Sequence, residues 1–80
     1  MDDIEIVRHI GELAEEEHGL ERSKEGVGLS DDDHARLRAL EVALDQCWDL
    51  LRQRRARRAA GQDPDAAHVR PEGTVEGYRQ

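Results

Sequence analysis

The sequence predicts an all-α fold: an antiparallel two-helix hairpin with an irregular C-terminal tail, paired into a four-helix bundle. Three observations predict it. Apolar residues recur at three- and four-residue spacing in two separate stretches. Each stretch opens on a helix-capping signal. A segment without periodicity follows each one, rich in glycine after the first and holding both prolines after the second.

The first helix is expected over residues 2–18. Ile6, Val7, Ile10, Leu13 and Ala14 form one apolar stripe, and Glu5, Glu12, Glu15 and Glu16 fall mostly outside it. Asp2 is the N-cap, with Glu5 three residues on as a capping box. Gly19 is placed to end the helix in a left-handed cap, with Leu20 folding back on Ala14. Residues 19–29 contain three glycines and read as the connecting loop, with Val27 and Leu29 tucked against the bundle end.

The second helix is expected over residues 30–60. Ser30 is its N-cap and Asp33 occupies the capping-box position. Asp31, Asp32 and Asp33 load its start with negative charge, and the arginines of 52–58 load its end with positive charge; both signs suit the helix dipole. Leu37, Leu40, Leu44, Cys47 and Leu51 form a heptad-like seam, which Trp48 widens as a core anchor. Val42 and Leu50 lie off the seam and require a second contact surface. Gly61 stops the helix and Pro64 follows. Residues 61–80 hold both prolines and read as a mostly irregular tail, with one helical turn at Asp65–His68 and with Val69, Val75 and Tyr78 as docking residues.

Helix length sets a further expectation. At about 1.5 Å per residue, the second helix outruns the first by roughly a dozen residues, so the arginine stretch overhangs. Leu, Ile and Val supply a thin core and there is no Phe. Burial in one hairpin falls short of the entropy of ordering it, so association through the leucine seam is expected, with a second copy or a helical partner.

The formal net charge of −7 is unevenly distributed. Residues 1–33 are strongly acidic and residues 34–60 carry a basic excess, which favours the antiparallel pairing. No apolar stretch is long enough to span a membrane, and no basic segment followed by an apolar one opens the chain, so a cytoplasmic protein is expected. A single cysteine excludes an intramolecular disulfide.

Residues 52–58, RQRRARR, are the main candidate for binding. Arg52, Arg54, Arg55, Arg57 and Arg58 would steer an acidic partner, with Trp48, Leu50 and Leu51 as apolar anchors. The acids of the tail, Asp63, Asp65, Glu72 and Glu76, compete for the same arginines. A nucleic-acid backbone is the weaker alternative, because the chain is acidic and no aromatics interleave the arginines.

His18 and His34 meet at the loop end of a hairpin beside Glu17 and Asp33, a weak metal-site candidate whose spacing matches no metal motif. No metal and no cofactor is assigned. Cys47 reads as a buried apolar side chain rather than a nucleophile, since Asp45 and Asp49 would disfavour its thiolate. No phosphate loop, serine triad or nucleotide fingerprint is present, so the protein is not expected to be an enzyme. The stretch RLRALEVALDQCWDLLRQRR (36–55) is similar in outline to the long helix of helical chorismate mutases. Helix order and length differ from that family, and no lysine lies on the long helix, so no catalytic residue carries over.

The stretch LEVALDQCWDLLRQRRARR (40–58), with DPD (63–65), VEGY (75–78) and HIGELAEEEHGL (9–20), resembles a family of short actinobacterial proteins known only as a domain of unknown function. The resemblance covers most of the chain and implies a bacterial cytosolic setting. It transfers no activity and no site residue. The expected role is a small non-enzymatic interaction or regulatory module.

Overall fold

The computed structural model describes residues 1–76. Among them lie two long helices and no strand, so the class is all-α. Helix α1 spans Asp3–Ser23 and α2 spans Asp31–Ala59. The tail carries a 3-10 turn, Pro64–Ala66, and a short helix α3, Glu72–Glu76.

Both predicted capping boxes form. The Asp2 carboxylate accepts from the Glu5 amide at 2.8 Å, and Glu5 accepts from the Asp2 amide at 3.2 Å. The same reciprocal pair joins Ser30 and Asp33, at 3.1 and 3.0 Å. Each box satisfies amides that the first helical turn leaves without partners. Helix α2 ends as expected at Gly61, whose φ is +73°. The Gln62 amide reaches the Arg57 carbonyl and the Gly61 amide the Arg58 carbonyl, a Schellman closure.

Helix α1 does not end at Gly19. It continues for one more turn and closes at Lys24. The physical reason lies in Leu20. Continuing the helix keeps it partly buried in step with Ile6, Ile10 and Leu13. A glycine inside a helix costs only about 1 kcal/mol relative to alanine. The left-handed backbone falls instead on Gly26 (φ +80°) and Gly28 (φ +87°), which shortens the loop. Val27 within it is exposed, while Leu29 is partly covered.

The leucine seam faces α1. Ile6 and Ile10 pack with Leu50 and Leu51, and Leu44, Cys47 and Ala67 close around them. Leu40 is buried as well. Leu40 and Leu51 of the seam are thus buried inside the hairpin, while Leu37, Leu44 and Cys47 stay half-buried at its margin.

The expected overhang is absent. Arg58 in the last turn of α2 reaches Asp3 in the first turn of α1, so the hairpin is closed at both ends. The tail is also more ordered than its composition suggested. It turns at Gly61 and runs back along α2, antiparallel to it. Gln53 donates to the His68 carbonyl at 2.8 Å and Gln46 to the Arg70 carbonyl at 3.2 Å. Val75 is 2% exposed, whereas Val69 remains open to solvent. The helical turn expected at Asp65–His68 is the 3-10 turn one residue earlier, set by the Asp63 carboxylate accepting from the Asp65 amide. Tyr78 and the Glu76 side chain lie outside the described residues. Leu50 thus finds its second contact surface in the tail, through Ala67. Three antiparallel passes form a slab of 51 × 25 × 16 Å.

Candidate interaction surface

The arginines of 52–58 do not act together. Helical geometry turns successive residues by about 100°, so five arginines in seven positions point to several sides. Arg54 points inward and is only 6% exposed. Its Nε donates to Asp3 Oδ1 at 2.6 Å, and its Nη1 donates to Asp65 Oδ1 at 2.9 Å and to the Pro64 carbonyl at 3.2 Å. Arg58 joins the same carboxylate of Asp3, with one contact at 3.2 Å. The Arg58 and Arg54 hydrogen bonds hold the Asp3 carboxyl at about 2, well below the ordinary 3.8. Hydrogen bonds from Arg54 to Asp3 and Asp65 raise the Arg54 pKa in turn. These two arginines clamp α1, α2 and the tail together; Arg54 is corrected from a partner-binding to a structural residue, whereas the Arg58 side chain stays 43% exposed.

Leu50 and Leu51 are corrected as well. Both lie in the core and neither can anchor a partner at the surface. Asp49 is a buried acid that hydropathy could not single out. It is 1% exposed and accepts from Arg70 Nε and from Gln53 Nε2, both at 2.9 Å. A buried carboxylate needs such partners, and these fasten the tail to α2.

What stays outside is a different set. Arg52 and Arg55 are exposed, and Arg57 is half-buried beside a shallow open groove of about 610 Å³ floored by Ala56 and Ala60. Trp48, expected as a core anchor, is 43% exposed. The tail covers the flank of α2 that carries Gln46, Asp49 and Gln53; by helical phase Trp48 and Arg55 fall on the opposite flank. Ile4 and Val7 are exposed on α1. An exposed indole flanked by guanidinium groups has the composition of an interface hot spot.

The loop-end residues do not assemble a metal site. His18 and His34 are both exposed, and Asp33 is engaged by Ser30 and by Lys24 at 3.5 Å. No group of three or more candidate ligands converges among the described residues. Burial pushes the Cys47 thiol pKa up, so the reactive thiolate is disfavoured. Among the described residues no helix is long and apolar enough to cross a membrane.

Fold and surface together define a small helical-hairpin protein whose tail forms a third layer. The chain belongs to the family described as protein of unknown function (DUF2630), whose model matches residues 2–80. It is 49% identical over 77 residues to the Uncharacterized protein Rv0898c of Mycobacterium tuberculosis, covering 95% of this chain and 88% of that relative. Uncharacterized protein Mb0922c of Mycobacterium bovis matches with the same identity and coverage. No solved structure matches. The resemblance read from residues 9–20 and 40–58 is therefore to the right family.

Proposed function

We propose that this protein is a small non-enzymatic interaction module, working through the outer face of α2 centred on Trp48 with Arg52 and Arg55. The observation that carries this reading is the exposure of the only tryptophan on the flank the tail leaves open. A large aromatic costs free energy in contact with water, and burial against a partner recovers it. Arginines one and two turns further along supply charge and planar hydrogen-bond donors at its edge. The groove beside Arg52 is shallow and open, which suits contact with another surface better than enclosure of a small substrate. A cytoplasmic, regulatory role fits the small size and the acidic, helical character of the chain.

The test places a photoreactive side chain, Trp48→benzoylphenylalanine, in the full chain and illuminates growing cells. A control carries it at Glu12, on α1. Protein adducts formed at position 48 and absent at position 12 support the reading. Adducts to nucleic acid at position 48 favour the rival use of the same arginines, and equal protein yields at both positions refute a dedicated face.

A further inference from the structure

The outer stripe of α2 holds Glu41, Trp48 and Arg55 at intervals of seven residues. Seven residues are close to two full turns, so the three share one face with a drift of only about 20° per interval. They stand about 10 Å apart along the axis. Glu41 and Arg55 are exposed, and neither has an ion pair or side-chain hydrogen bond among the described residues. The hairpin itself has no use for either charge.

From this we infer that the partner on the Trp48 face is a second copy of this chain, paired antiparallel about a two-fold axis at Trp48. The inference rests on the interaction-module reading and names its partner. A two-fold interface must be self-complementary, because each residue meets the counterpart of its own mate. The stripe has that property. Rotation about Trp48 carries Glu41 of one copy onto the partner's Arg55, and Arg55 onto the partner's Glu41. The two indoles meet at the axis, where the interface is driest. Parallel pairing would set Glu41 against Glu41 and Arg55 against Arg55, so charge selects the antiparallel arrangement.

One further feature agrees. The broad face of the slab measures 51 × 25 Å, room enough for the roughly 800 Å² per partner that a standard interface buries. An unrelated acidic protein fits less well, since Glu41 would repel it two turns from Trp48. The stripe runs beside the leucine seam, whose Leu40 and Leu51 are buried in the hairpin.

The experiment is sedimentation equilibrium of the full chain over a wide concentration range at low salt, with circular dichroism to confirm folding of each variant. The native chain is expected to dimerise. Glu41→Arg alone and Arg55→Glu alone should each weaken the dimer about tenfold, since each converts two cross-axis attractions into repulsions. The double variant E41R/R55E should recover native affinity, and an equimolar mixture of the two single variants should do the same by forming a heterodimer. A monomeric native chain, or single swaps that never recover in the double variant, overturns the pairing. Adducts at position 48 to a different protein would then leave the interaction reading standing without it.

Discussion

Arg54 on α2 and Asp3 on α1 are joined by a 2.6 Å hydrogen bond across 51 residues of sequence, and the same guanidinium continues to Asp65 in the tail. One side chain thus ties together all three passes of the chain. Its neighbour Arg58 shares Asp3, so the carboxylate serves two arginines.

This clamp makes stability depend on acid in a defined direction. The Asp3 carboxyl is held at about 2 against an ordinary 3.8. Its contribution is full above the ordinary value and is lost as pH falls through the folded one. Comparing thermal stability of the native chain and Asp3→Asn should show a gap that is constant near neutrality and closes between about pH 4 and 2. A gap unchanged at pH 2 would place the source of the stability elsewhere.

Asp49 governs the tail rather than the hairpin. Its removal in Asp49→Ala takes a buried acceptor from Arg70 and Gln53. The cost should be about 1–3 kcal/mol, as for other buried groups that lose a charged partner. Limited proteolysis should report it first at residues 61–71, before the hairpin opens. Uniform loss of protection across α1 and the tail would contradict this division.

Gly19 offers a test of the helix boundary. It sits inside α1, with nothing within 4 Å of where a Cβ would lie. Gly19→Ala should therefore stabilise the chain by about 0.5–1 kcal/mol in urea denaturation. Gly28, with φ +87°, should respond in the opposite sense to the same substitution. Destabilisation by Gly19→Ala would mean the helix ends where the local glycine signal suggested.

That signal shows how far local sequence carries. Both capping boxes, the leucine seam and the Gly61 stop were legible because each rests on neighbours within a few positions. Gly19 misled because a glycine signals a stop locally, while continuing the helix keeps Leu20 partly buried beside the other apolar residues of α1. The tail looks irregular in sequence because its anchors are polar: Gln46, Gln53 and Asp49 look like solvent-facing residues until backbone carbonyls and Arg70 arrive. Helix α2 is covered on two sides, so its buried positions run around it and include Arg54. The residues off the seam, Val42 and Leu50, are the available clue to that second layer. The arginine run, read as one patch, is three surfaces once helical phase is applied.

Trp48 and Leu51 separate the surface from the core most sharply. Leu51 is 2% exposed and Trp48 is 43% exposed on the same helix. Leu51→Ala should cost about 2–5 kcal/mol, because it removes packed methyl groups and leaves a cavity. Trp48→Ala, measured at a concentration too low for self-association, should cost no more than about half of that, despite the larger side chain lost. Equilibrium unfolding followed by circular dichroism compares the two directly. At high concentration the order should change: dilution-dependent stability should disappear in Trp48→Ala and persist in the folded fraction of Leu51→Ala, since only the first loses the face that a second chain covers. If Trp48→Ala instead unfolds the dilute monomer as severely as Leu51→Ala, the indole belongs to the hairpin interior and the outer face of α2 has no centre.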